Sequence, residues 1–234
     1  HSADQLIPSA EVEYSGATFS PDGNHIYYTA REKGARLSSL YRIAMVKSPS
    51  RKLLEDIEGS VSFAPDGSRF VFHRYDQPRR ESTLVVANAD GNQAHEVAAI
   101  KFPEFFGDPA WSPDGRVIAC AAGHADGGTN RYLVQINVGD WAMKGVTAQR
   151  WRWIGPVEWL ADGSGLLMIA ADHVASTYQL WHLAYPTGET RRMTNETVFY
   201  SRMALAAATV TLVAAVVRQA SNLCVGPVAI PSPG

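Results

Sequence analysis

One short phrase recurs along this chain: Phe19-Ser-Pro-Asp-Gly23, Phe63-Ala-Pro-Asp-Gly67, Trp111-Ser-Pro-Asp-Gly115 and Trp159-Leu-Ala-Asp-Gly163. The aromatic residues that open it stand 44, 48 and 48 residues apart, and a period in that range is the signature of a repeat architecture. Each copy closes a short apolar run, and another apolar run begins directly after it. Asp and Gly tolerate the positive φ of a tight turn, so each copy reads as a β-hairpin. The phrase itself is then structural. Asp22, Asp66, Asp114 and Asp162 cap the turns; Gly23, Gly67, Gly115 and Gly163 take the φ the turn demands. Phe19, Phe63, Trp111 and Trp159 fill the contacts between neighbouring units.

Around each copy the pattern predicts four short strands. In the second repeat these cover 60–63, 69–73, 82–87 and 94–98; in the fourth, 156–159, 166–170, 178–183 and 189–193. Four-stranded sheets recurring roughly every 40 to 50 residues are the plan of a β-propeller. The expected fold is therefore all-β, one propeller domain over 1–234, with blades at about 14–56, 57–99, 107–148, 155–196 and 201–230. The fifth unit is eroded. Leu205 stands 46 residues after Trp159, but Ala206-Ala-Ala-Thr209 replaces the turn phrase. At the other end, residues 5–9 read as a spare fourth strand. Pairing it with the last blade closes a five-bladed ring and removes exposed sheet edges. The other arrangement is part of a six- or seven-bladed propeller.

A chain of 234 residues with 46% hydrophobic residues is long and apolar enough for a sizeable core. Its net charge of −2 supplies no basic field, which speaks against a nucleic-acid partner. Cys120 and Cys224 sit at unrelated offsets in different repeats and are expected as buried thiols, not a bridge. Met203 to Val217 carries no charge, yet it is short for a membrane span of about 20 residues. It also falls where the period places strands, so no membrane insertion is expected.

Catalytic signals are sparse. The serine nucleophile elbow Gly-x-Ser-x-Gly is absent, and Asp162-Gly-Ser-Gly165 is a turn. No phosphate-binding loop occurs. His124 with Asp126, and Asp172 with His173, are loop residues of matching position rather than a metal site. Asn195-Glu-Thr197 has the form of a glycosylation sequon, which means nothing if the source is bacterial. The expectation is a protein that is not an enzyme, with no cofactor and no metal.

The aromatic-Ser-Pro-Asp-Gly phrase, with Leu40-Tyr41, Tyr132-Leu133 and Leu180-Trp181 on later strands, resembles the TolB-type, WD-like propeller repeats. The resemblance spans practically the whole chain, with Ala64, Leu160 and Ala161 departing from the pattern. It implies a periplasmic or otherwise extracytoplasmic bacterial setting, such as the sensor portion of a signalling protein. Similar repeats also form the gating propellers of prolyl oligopeptidase-like peptidases, which is the alternative reading.

Strand order sends two sets of loops to one end. Those joining a fourth strand to the next first strand are aromatic: Glu13-Tyr14, Lys101 to Phe106, Arg150-Trp-Arg-Trp153 and Phe199-Tyr-Ser-Arg202. Those joining second to third strands are charged. Aromatic residues interleaved with arginine are what recognition surfaces use. Tyr14, Phe105, Phe106, Trp151, Arg152, Trp153, Tyr200 and Arg202 are thus the expected face for a protein, peptide or small ligand.

Overall fold

The computed structural model describes residues 12–46, 48–124, 128, 130–173, 177–195, 199–206 and 211–217; in the last two ranges only Met203 is described beyond its backbone. Among the described residues the regular structure is all strand. The first sheet holds β1 (Val12–Phe19), β2 (His25–Glu32), β3 (Ser39–Ala44) and β4 (Arg51–Glu55). The second holds β5 (Glu58–Phe63), β6 (Arg69–Asp76), β7 (Glu81–Asn88) and β8 (His95–Lys101). The third holds β9 (Glu104–Trp111), β10 (Val117–His124), β11 (Arg131–Asn137) and β12 (Met143–Gly145). The fourth holds β13 (Trp153–Trp159), β14 (Gly165–Ala171), β15 (Gln179–Ala184) and β16 (Thr190–Arg192). A hairpin of β17 (Phe199–Ala206) and β18 (Thr211–Val217) follows, so the uncharged run from Met203 forms strands.

Every sheet is an antiparallel meander, and the first strands β1, β5, β9, β13 and β17 touch one another in succession. That places them innermost, with the second to fourth strands stacked outward, which is the arrangement of propeller blades. The ring closure expected from the sequence is not seen among the described residues. Among the described residues no strand pairing joins the first sheet to β17–β18, and residues 5–9 and Cys224 lie outside the described residues.

The Asp-Gly turns form as expected. Gly23, Gly67, Gly115 and Gly163 have φ of 71°, 70°, 75° and 71°. Asp22, Asp66, Asp114 and Asp162 accept the backbone N–H two residues on, at 2.9 to 3.0 Å. The proline of the phrase braces the turn of the next blade. A Cβ on Gly67 would meet Pro21 at 3.5 Å, one on Gly115 Pro65 at 3.3 Å, and one on Gly163 Pro113 at 3.7 Å. The fourth phrase carries Ala161 in place of proline, and the fifth unit has no Asp-Gly phrase to receive one.

Side chains from facing sheets fill the wedges between blades. Phe63 packs with Tyr27, Leu40, Phe70 and Phe72 between the first two sheets. Trp111 joins Val71, Leu84 and Val86 between the second and third. Trp159 joins Ala110, Ala119 and Ala121 between the third and fourth. Phe19 departs from expectation, being 60% exposed. Each of the other three anchors lies on the sheet before its own, and no sheet among the described residues precedes the first.

Each innermost strand is bulged at the same place, four residues before its anchor. The register shifts fall around Ser15, Gly59, Gly107, Gly155 and Ser201. A bulge bends the strand and re-aims the residues beyond it. It also lets the strand continue toward the loop-rich end, so these strands run further than the short runs read from the sequence.

Candidate functional site

Strand direction is fixed by register: Glu58 lies opposite His73, Glu104 opposite His124, and Trp153 opposite Ala171. The starts of the innermost strands and the loops between second and third strands therefore share one end. The Asp-Gly turns and the turns after third strands share the other. This matches the expected segregation, but the aromatic residues divide between two roles.

Phe106 and Trp151 belong to the core, not to a surface. Phe106 is 1% exposed on β9, among Leu84 and Ile100. Trp151 is fully buried beside Leu133 and Ile154, with its ring edge-on to Trp181 at 6.3 Å. The reason is complementarity between sheets: the fully buried residues β10 offers to this wedge are Ala119 and Ala121, small enough to leave room for the three indoles of Trp151, Trp159 and Trp181. Trp153 is half-buried, stacked on Tyr178 at 4.4 Å and packed toward Ile169 and Met203. Tyr200 and Arg202 lie on β17, and their side chains fall outside the described residues.

Tyr14 remains at the surface, while Phe105 and Arg152 are half-buried there. Tyr14 is 44% exposed and approaches Tyr28. Phe105 starts β9 and lies beneath the Arg131 guanidinium at 4.1 Å. Gly123 is paired with both residues from the strand between them, and its missing side chain opens the path across. Its φ is 134°, and a Cβ there would stand 2.2 Å from the Asn130 carbonyl. Burial pulls the Arg131 guanidinium below its ordinary pKa.

Three further arginines lie at the same end. Arg131 and Trp151 exchange two backbone hydrogen bonds of 2.9 Å, which brings Arg150 and Arg152 alongside. Arg150 lies over the Tyr132 ring at 4.4 Å, and Arg80 over Phe102 at 4.7 Å. The Arg152 Nε is buried without a hydrogen bond. Sequence reading missed this layered order, because the partners meet across strands rather than along one.

A second group lines the inner strands and gave no sequence signal. The Ser60 N–H donates to Asp108 Oδ1 at 3.2 Å, joining β5 to β9. His73 Nε2 stands 3.5 Å from Glu58, and its Nδ1 stands 3.7 Å from Asp108. The imidazole beside Glu58 holds that carboxyl below its usual range. Glu158 on β13 is pushed up to about 7 by burial, with the Asp108 charge adding to it. Both nitrogens of His73 thus face carboxylates. Cys120, fully buried, donates to the Gly107 carbonyl at 3.2 Å, and burial raises its pKa far above a reactive thiol's.

Of the two loop His–Asp pairs, one is described in full. His173 Nδ1 pairs with Asp172 at 2.6 Å, His124 lies 3.8 Å from Glu104, and Asp126 lies outside the described residues. Among the described residues no group of three or more His, Cys, Asp or Glu is placed to hold a metal.

No known protein family matches the chain, and no curated protein does. Solved structures do. A protein designated TolB from Agrobacterium tumefaciens superposes with TM-score 0.66 at 15% identity, over 84% of this chain and 67% of that one. TolB from Acinetobacter baumannii gives 0.64 at 16%, over 81% and 49%. Prolyl oligopeptidase B from Galerina marginata gives 0.59 at 14%, over 84% and 30%. This chain thus spans about two thirds, half and a third of those chains. The likeness is one of fold: the blades match part of the β-propellers of the TolB structures.

Proposed function

We propose that this chain is a non-catalytic binding module that takes a protein or peptide on its loop-rich end, in an extracytoplasmic bacterial setting. One observation carries the reading: the two ends are unlike. At the loop-rich end Phe102, Phe105 and Tyr132 lie under arginines, and Tyr14 is exposed at the same end. At the opposite end the aspartates of the turns are satisfied by their own backbone. Aromatic and arginine side chains are the commonest anchors of binding energy. The setting rests on the resemblance of the repeats and the likeness to TolB folds.

A second reading is favoured by the superposition on prolyl oligopeptidase B: a peptidase's propeller, with the hydrolase elsewhere in a longer chain. A nucleophile elbow in the adjoining coding sequence supports that reading; a membrane segment joined to a signalling domain supports the first.

The test is a peptide selected on the folded protein from a random library. Tyr14→Ala and Arg152→Ala together are expected to weaken its binding by about 2 kcal/mol or more, with little change in thermal midpoint. Unchanged affinity in that double variant overturns the reading.

A further inference from the structure

We propose that Arg80, Arg131, Arg150 and Arg152 form a shelf for an acidic peptide segment, its side-chain carboxylates seated on the arginines and its apolar groups on the rings between. This rests on the loop-rich end being the binding face and adds the chemistry of what binds there.

Among the described residues none of the four makes an ion pair or a side-chain hydrogen bond, although other surface arginines do. Arg79, on the same loop as Arg80, engages both Glu81 and Glu96, and Arg31 pairs with Glu13. A guanidinium stacked on a ring is held in a fixed plane by cation–π attraction, with its donor edge left over. That is the situation of Arg131 on Phe105, Arg150 on Tyr132 and Arg80 on Phe102.

Chain connections relate the stacks: Phe102 and Phe105 lie three residues apart on the segment that enters β9. The Arg131–Trp151 bridge joins Arg131 to Arg150 and Arg152, and the Phe102 N–H donates to the Arg80 carbonyl at 2.9 Å. Glu104 lies within the patch, accepting from the Tyr132 hydroxyl at 3.2 Å and facing His124. Glu81, next to Arg80 in the chain, is engaged by Arg79, and Asp172 by His173, so neither neutralises the four arginines of the shelf. A carboxylate accepts two parallel hydrogen bonds from a guanidinium edge, the strongest of the ordinary polar contacts. The choice of a peptide over a nucleic acid follows from the lack of a basic field over the rest of the molecule, which a polyphosphate needs.

The experiment uses the whole chain and a short fluorescein-labelled peptide of alternating glutamate and tyrosine, followed by anisotropy. Its glutamine counterpart and a labelled oligothymidine run in parallel. Arg80 and Arg150 are both exposed, so Arg80→Glu and Arg150→Glu keep the fold. Each is expected to weaken the acidic peptide about tenfold or more. Arg150→Lys is expected to recover only part of that loss, because it keeps the charge and loses the fork. Arg116→Glu changes the net charge equally at the Asp-Gly end and is expected to leave binding unchanged.

Equal binding of the glutamine peptide, tighter binding of the oligothymidine, or no saturable binding of the acidic peptide overturns the inference. If a library-selected peptide lacking carboxylates still needs Tyr14 and Arg152, the binding face stands and only its acidic specificity falls. Acidic-peptide binding lost in Arg116→Glu and kept in Arg150→Glu overturns both.

Discussion

Trp159→Ala is expected to lower unfolding stability by about 3–5 kcal/mol, the range for removing a large aromatic from a packed core. The side chain is 9% exposed, and its Nε1–H donates to the Ala110 carbonyl of the neighbouring sheet at 3.0 Å. Its ring also meets Tyr185 edge-on at 5.0 Å. The substitution therefore opens a cavity between two blades and strips a carbonyl of its partner. Phe19→Ala is the internal contrast. It removes the equivalent residue of the first repeat, which is 60% exposed, and belongs with surface changes of about 0.5 kcal/mol or less. Urea titration of both variants decides this. Equal losses contradict the account of the anchors as wedge-fillers.

The second large effect concerns pH. Glu158 has its carboxyl raised from 4.5 to about 7, first by burial and then by the Asp108 charge. A carboxyl raised on folding binds its proton more tightly in the native state than in the unfolded one. Its contribution is therefore complete below pH 4.5 and lost as pH rises through 7. That shift corresponds to about 3 kcal/mol. The turn aspartates act in the opposite sense. Asp22, held at about 2 by the Ser20 hydroxyl and then the Asn24 N–H, favours the fold above its unfolded pKa and ceases to do so as pH falls toward 2. Glu158→Gln should abolish the decline between pH 4.5 and about 7 and leave the acid limb in place; a wild-type stability flat across that window contradicts the assignment.

How much of this was legible in the sequence follows from how local each feature is. The Asp-Gly turns are settled within five residues by φ and a side-chain cap, so the repeat and blade order could be read directly. The inner strands read too short because Gly59, Gly107 and Gly155 break the alternation at the bulges. Phe105 and Phe106 accordingly read as loop residues, although both stand on β9. Trp151 looked like a surface aromatic between two arginines. Its burial depends on the small Ala119 and Ala121 some thirty positions earlier. The Arg131–Phe105 stack needed Gly123 between strands, and the Glu58–His73–Asp108 group draws on three strands of two sheets. No spacing in a single run encodes such meetings. The proline of the repeated phrase was visible, but its contact with the following turn is a matter of stacking between blades.

The central claim is that the end carrying the starts of the innermost strands is the binding face. Hydrogen–deuterium exchange on the protein with and without its tightest library-selected peptide tests it directly. The account predicts slowed exchange over residues 104–106 and 130–132 and over 150–153, with none over the Asp-Gly turns at 65–68, 113–116 and 161–164. Slowed exchange confined to those turns would contradict it.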